Sequence, residues 1–82
     1  MAQVEEIRTY IQEGLPCLAL EVEGDGRHFQ ALVVSEAFAG MNRVQRQQRV
    51  FQCLGGRVDS GEIHALSMRT YTPEEWRELQ HG

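Results

Sequence analysis

Hydrophobic residues recur at helical spacing in the first part of the chain. Val4, Ile7 and Ile11 are three and four positions apart, which predicts an amphipathic helix over residues 2–13. Gly14 follows the last turn and supplies the stop signal that helices commonly carry just past their C-terminal end. The first predicted element is therefore a short helix.

The next segments change from helical spacing to alternation. Residues 17–23 alternate leucine or valine with small or acidic residues, which predicts a half-buried strand. Asp25 and Gly26 lie in a turn over residues 24–27, because Asp-Gly readily supplies positive φ. Residues 28–35 are rich in Phe, Leu and Val and predict a second strand, so the two strands form an antiparallel hairpin.

A second helix is predicted over residues 43–54. Asn42 is a suitable N-cap, and Gln45 three residues later completes a capping box. The buried side of this helix is predicted to consist of Val44, Val50, Phe51 and Leu54. Steps of three residues keep side chains on roughly one face, and we expect that face to be exposed and basic, with Arg43, Arg46 and Arg49.

The C-terminal segment predicts a strand over residues 63–71 and a short helix over residues 73–80. Thr72 is the predicted N-cap of this helix, Pro73 suits its first position, and Glu75 completes a second capping box. The apolar residues expected to anchor the helix are Trp76 and Leu79.

The predicted order is α-β-β-α-β-α, which is an α+β fold in a single domain, residues 1–82. The third strand follows a helical crossover, so we expect it to run parallel to one strand of the hairpin. The result is a three-stranded mixed sheet with the helices packed on one face.

Composition narrows the class of protein. Of the 82 residues, 41% are hydrophobic and 24% are charged, which is typical of a globular domain. No apolar run approaches the roughly 20 residues of a membrane helix. The N-terminal residues lack a basic-then-apolar segment, and two cysteines are too few for a disulfide scaffold. These features predict a cytoplasmic protein with no membrane association.

Charge is distributed unevenly along the chain. The net charge is −4 and lysine is absent, but residues 37–58 contain no acid and four arginines: Arg43, Arg46, Arg49 and Arg57. Such a stripe is suited to local docking of an anionic partner on an otherwise acidic protein. It is equally typical of the solvated face of a helix, and both interpretations stay open.

Motifs of enzymes are largely missing, so we do not expect catalytic activity. Gly24 and Gly26 begin a dinucleotide-binding pattern, but its third glycine would fall at Phe29, inside a strand. Cys53 and His64 are a conceivable nucleophile pair. A buried structural thiol at Cys53 fits an amphipathic helix better.

Two histidines are better candidates for a chemical role. His28 begins the second predicted strand and His64 lies near the start of the third. If these strands are parallel neighbours, both imidazoles lie at one end of the sheet, where they could bind a metal. The alternative is structural: His64 shares a strand face with Leu66 and Met68 as a hydrogen-bonded core residue, and His28 is an exposed turn residue.

Four stretches together resemble the BolA family: residues 24–29, 33–38, 40–48 and 62–76. The most specific parts are Arg-x-x-Arg-Gln-Gln at the start of the second helix and the pair of segments Ile-His-Ala-Leu and Thr-Pro-Glu-Glu-Trp. The resemblance covers nearly the whole chain. It implies a fold related to the class II KH domain, which agrees with the predicted order of elements.

The resemblance also implies a role as an adaptor. Family members bind a [2Fe-2S] cluster together with monothiol glutaredoxins, through positions matched here by His64 and His28. Two imidazoles cannot complete a cluster that needs four ligands, so a glutaredoxin cysteine and glutathione would supply the others. The implied function is iron–sulfur trafficking or iron and redox sensing.

Two alternatives remain. The family is also linked to transcription regulation and to stress-dependent cell shape, which implies a DNA-binding regulator acting through Arg43, Arg46, Arg49 and Arg57. No two glycines are three positions apart, so a Gly-x-x-Gly clamp is absent. Any DNA binding would therefore be weak and salt-sensitive. The third candidate is a metal-free protein-interaction domain that uses the same basic face.

Overall fold

The computed structural model describes residues 4–25, 27–55 and 65–81. It contains helix α1 (Val4–Gly14), strands β1 (Ala19–Gly24) and β2 (His28–Val34), a 3-10 helix (Glu36–Phe38), helix α2 (Arg43–Leu54), strand β3 (Ala65–Tyr71) and helix α3 (Pro73–His81). The predicted order is confirmed, with the 3-10 helix as an addition. In the described ranges, no helix has the length and apolar character needed to cross a membrane.

The three strands form one mixed sheet in the order β1-β2-β3. β1 and β2 are antiparallel, with Gly24 opposite Phe29 near the turn and Ala19 opposite Val34 at the other end. β3 is parallel to β2, in a register that places Ala65 opposite His28. The central strand therefore has β1 on one side and β3 on the other, as the helical crossover predicted.

The core lies between the sheet and the first two helices. Every second residue of β2 from Phe29 to Val33 is buried, because side chains alternate between the two faces of a strand. Helices α1 and α2 cover this face with side chains that are fully buried: Ile7, Ile11, Val50 and Leu54. The face of β2 that carries Gln30 is exposed there, so the helices pack on one side of the sheet.

Two predicted apolar anchors are wrong. Val44 was expected on the buried side of α2, but it is 61% exposed, because it lies about 120° around the helix from Val50. Leu79 is 56% exposed, and no residue of α3 is fully buried. This helix is anchored at its start, where Trp76 packs against Tyr71 with ring centroids 5.8 Å apart.

Both predicted capping boxes are confirmed. The Asn42 side chain accepts a hydrogen bond from the backbone N–H of Gln45, whose side chain accepts from the N–H of Asn42, each at 2.9 Å. At α3, the hydroxyl of Thr72 accepts from the N–H of Glu75 at 3.2 Å, and Glu75 Oε1 accepts from the N–H of Thr72 at 2.8 Å. Local sequence therefore determines where both helices begin.

The cap at α3 gives a first prediction. We expect Thr72→Ala to lower the free energy of unfolding by about 1 kcal/mol, because the N–H of Glu75 loses its acceptor at the first turn. Urea denaturation followed by circular dichroism measures the change. Thr72→Ser, which keeps the hydroxyl, serves as the control, and equal stability of the two variants would contradict the role of the cap.

Candidate functional site

His28 is displayed at the point where the hairpin turn becomes β2. The carboxylate of Asp25 accepts hydrogen bonds from the backbone N–H groups of Arg27 and His28, both at 2.9 Å. These bonds hold the turn and fix the backbone from which the imidazole projects. The His28 side chain is 76% exposed, with Nδ1 3.8 Å from Asp25 Oδ2. The imidazole is therefore open to an incoming group.

Asp25 gives this turn a stable negative charge. The backbone N–H of His28, and then that of Arg27, lower the pKa of the Asp25 carboxyl below its ordinary value. A hydrogen bond to the charged form favours ionisation, so the carboxylate persists beside the imidazole into mildly acidic conditions. The sequence predicts Asp25 only as a turn residue. The Asp-Gly pair predicts the turn, but it does not indicate the contact between Asp25 and His28.

The parallel pairing of β2 and β3 brings the start of both strands to one end of the sheet. His28 lies opposite Ala65, the residue that follows His64 in the sequence. Two residues of the predicted sites, His64 and Arg57, lie outside the described residues. The part of the prediction that the structure tests, parallel neighbouring strands with His28 at their start, is confirmed.

The cysteines do not join His28. Cys17 precedes β1, and the next residue, Leu18, donates its N–H to the carbonyl of Val34. Val34 is at the opposite end of β2 from His28, about 20 Å away for six strand residues. Cys53 packs against Gly14, at the end of α1. Across the described ranges, no three His, Cys, Asp or Glu side chains form a group that could hold a metal ion.

His28 and Asp25 could contribute one side of a metal site. The chemistry of an exposed imidazole suits iron or zinc, and a carboxylate nearby can orient or polarise such a ligand. The described part of the chain offers His28 for this purpose but no complete ligand set. A cluster at this place would need ligands beyond those residues.

The prediction that all three arginines of α2 face solvent is wrong for Arg46. Its side chain is only 14% exposed and forms an ion pair with Glu75, with 2.7 Å between Nη1 and Oε1. It also donates to the carbonyls of Met41 at 3.0 Å and Thr70 at 3.2 Å. Its guanidinium lies 5.9 Å from the ring centroid of Phe38. Arg46 therefore joins α2 to the end of β3 and the start of α3.

Arg49 is likewise engaged inside the molecule. Its Nη2 donates to the carbonyl of Gly14 at 2.8 Å, and its Nη1 lies 3.6 Å from Cys53 Sγ. The last turn of α1 leaves carbonyl groups without intrahelical donors, and Arg49 satisfies one of them. Of the three arginines in α2, only Arg43 is exposed. The three arginines do follow helical spacing, but spacing alone does not show which backbone groups this face of α2 contacts.

Exposed charged side chains instead lie on the face of the sheet that the helices leave uncovered. A shallow groove there is lined by Arg43, by Arg69 of β3, and by Glu21 and Glu23 of β1. Arg69 was not singled out from the sequence, because a single arginine in a strand gives no signal of its own. The groove has both signs of charge, so it is not a uniformly basic surface.

The contact between Arg46 and Glu75 gives a second prediction, in pH dependence. The Arg46 guanidinium, and then the N–H of Thr72, lower the pKa of the Glu75 carboxyl. A lowered folded pKa contributes stability above roughly pH 4.3, the ordinary glutamate value, and this contribution is lost as pH falls through the lower folded value. We expect wild-type stability to decrease more than that of Glu75→Gln over this acidic range. Urea midpoints at several pH values test this, and parallel curves would contradict it.

The sequence and the fold match a known family. A sequence profile described as BolA-like protein matches residues 11–75. This is well over half of the chain, and the chain belongs to the BolA family.

The individual relatives agree with this assignment. Acid stress protein IbaG of Escherichia coli (strain K12) is 42% identical over 71 residues, 87% of this chain and 84% of that protein. The DNA-binding transcriptional regulator BolA of Haemophilus influenzae is 41% identical over 54 residues, 66% of this chain and 52% of its own length. A solved BolA protein homologue from Coxiella burnetii has 38% identity and a TM-score of 0.78, covering 94% of this chain and 99% of its own.

Proposed function

We propose that this protein is an adaptor that shares a [2Fe-2S] cluster with a monothiol glutaredoxin. His28 and His64 would be its cluster ligands, and the function would be iron–sulfur trafficking or iron and redox sensing. The observation that carries the proposal is the exposed imidazole of His28 at the start of the central strand, where His28 lies opposite the residue that follows His64. Membership of the BolA family supports it.

The chain's own residues would present and orient the ligand. Asp25 fixes the turn before β2 by accepting hydrogen bonds from the N–H groups of Arg27 and His28, and its carboxylate keeps a negative charge near the ring. A carboxylate near a histidine ligand can help to orient the imidazole ring. When bound, the cluster would supply reversible one-electron chemistry, and histidine ligation raises its potential above that of an all-cysteine cluster.

The partner would have to complete the ligand set. A [2Fe-2S] cluster takes four ligands, and the thiols of this chain that could contribute lie at the other end of the sheet or against α1. We therefore infer that a glutaredoxin cysteine and glutathione supply the remaining positions. This division makes the cluster a property of the complex and leaves it accessible for transfer.

An absorption spectrum tests the proposal. The chain is mixed anaerobically with a monothiol glutaredoxin, glutathione, ferrous iron and sulfide, and compared with the glutaredoxin alone. We expect a visible spectrum that differs from that of the glutaredoxin cluster, because imidazole replaces thiolate as a ligand. Co-elution of both proteins with iron and sulfide completes the measurement. An unchanged spectrum with no co-elution would contradict the proposal.

A DNA-binding regulator is the second candidate. The name of the Haemophilus influenzae relative favours it. In this chain α2 exposes Arg43, whereas Arg46 and Arg49 are engaged internally, so the described part of the helix offers less charge than its sequence suggested. DNA titration at two salt concentrations tests it: weak, salt-sensitive binding supports this function. Absence of binding at low salt would leave a protein-interaction domain.

A further inference from the structure

Two thiols lie against the same short segment between α1 and β1. Cys53 Sγ packs so closely against Gly14 that a Cβ atom added at Gly14 would lie 2.6 Å from it. Cys17 Sγ donates a hydrogen bond to the carbonyl oxygen of Leu15, 3.5 Å away. Both cysteines are half-buried at the margin of the core. Because Gly14 and Leu15 are adjacent, the two sulfur atoms share one stretch of backbone.

Hydrogen bonds hold this segment in place. Ser35 Oγ donates to the carbonyl of Pro16 at 2.6 Å, and the N–H of Leu18 donates to the carbonyl of Val34 at 2.8 Å. The backbone is thus fixed on both sides of Cys17. The position of Cys17 beside this segment is therefore a property of the folded chain and not of a free loop.

The two cysteines differ in their surroundings. Arg49 Nη1 donates a hydrogen bond to Cys53 Sγ at 3.6 Å. Burial, with a smaller contribution from the nearby Cys53, raises the pKa of the Cys17 thiol. Because burial keeps the Cys17 thiol protonated to a higher pH, we assign the first attack to Cys53 and the resolving step to Cys17.

We propose that Cys17 and Cys53 form a dithiol site that a low-molecular-weight disulfide oxidises to an intramolecular disulfide. The Cys53 thiolate attacks one sulfur of the small disulfide, forms a mixed disulfide and releases one small thiolate, which takes up a proton. Cys17 then gives its proton to solvent and attacks Cys53 Sγ, and the second small thiol leaves. Two electrons pass from the protein to the small disulfide, which becomes two thiols.

The disulfide would tie the connection before β1 to the last turn of α2. It lies at the opposite end of β2 from His28, so it does not depend on the proposed cluster ligands. Cross-linking two distant positions constrains the unfolded chain. The oxidised protein should therefore unfold at a higher urea concentration than the reduced protein.

Mass spectrometry of the full chain tests this site. The reduced protein is incubated with oxidised glutathione under native conditions. We expect a loss of two hydrogen atoms from the intact mass and, after digestion, one peptide pair joined through Cys17 and Cys53. Cys17→Ser should stop at a single glutathionyl group on Cys53. Cys53→Ser should react more slowly than Cys17→Ser, because burial raises the pKa of the Cys17 thiol that remains.

Several results would overturn the proposal. These are thiols that stay reduced, two glutathionyl groups that persist on the wild-type chain, or disulfide-linked dimers in place of the internal bond. A rate that follows the unfolded fraction as low concentrations of urea are added would also overturn it, because the pairing would then belong to the unfolded chain. Faster reaction of Cys53→Ser than of Cys17→Ser would contradict the order of attack.

Discussion

Replacing both His28 and His64 with alanine is expected to abolish the mixed cluster with a monothiol glutaredoxin. The visible spectrum should revert to that of the glutaredoxin alone, because the two imidazoles proposed as ligands are gone and the thiols near α1 lie too far from His28 to substitute. Cluster reconstitution followed by absorption spectroscopy and iron analysis gives the result. Loss of His64 should have the larger effect of the two single substitutions, since water or Asp25 at the turn could replace His28.

His81→Ala is the matched control for this experiment. His81 is an exposed histidine in α3, outside the hairpin, so its loss should leave the cluster spectrum unchanged. Far-ultraviolet circular dichroism of every variant establishes that the fold is kept. If the double variant gave the wild-type spectrum and cluster lifetime, His28 and His64 would be ordinary residues of the strand ends.

Arg46→Met is expected to lower the free energy of unfolding by about 2 kcal/mol. The substitution keeps the aliphatic part of the side chain but removes the donors to the carbonyls of Met41 and Thr70 and the ion pair with Glu75. Because Arg46 is largely buried, its partners would lose a charged hydrogen-bond donor without full access to water. Urea unfolding followed by tryptophan fluorescence reports the change, since Trp76 lies at the start of α3.

Arg43→Met provides the control within the same helix. Arg43 is exposed and has no ion pair among those described, so its substitution should change stability by less than about 0.5 kcal/mol. Equal effects of the two substitutions would contradict the structural role of Arg46. The same two variants separate an effect on stability from an effect on partner binding. If only Arg43→Met loses DNA or glutaredoxin binding, unfolding cannot be the cause.

Interactions between residues close in the sequence explain why the bounds of the helices could be predicted. The bounds of α2 agree with the prediction, because Asn42 and Gln45 form its capping box and Gly55 follows its last turn with φ of +61°. The start of α3 is determined in the same way by Thr72 and Glu75. These interactions join residues three positions apart, so the order of the residues is sufficient to predict them.

Whether Arg46 and Arg49 face solvent could not be predicted in this way. Arg46 and Arg49 are on the helix face that periodicity assigned to solvent, yet Arg46 contacts Thr70 and Glu75, and Arg49 contacts Gly14. These partners are more than 20 positions away along the chain. Whether a polar face is solvated or engaged depends on which backbone carbonyls the packing brings to it, and helical spacing contains no information about that.

The sequence by itself determined the helices, the hairpin and the two histidines at the starts of predicted strands, because periodicity, caps and turns act over a few residues. The tertiary structure decided that β3 pairs in parallel with β2 in the register that sets Ala65 opposite His28. It also decided that Cys17 and Cys53 meet the same segment, away from His28. Strand register and helix packing result from burying one shared core, and this depends on all of the elements together.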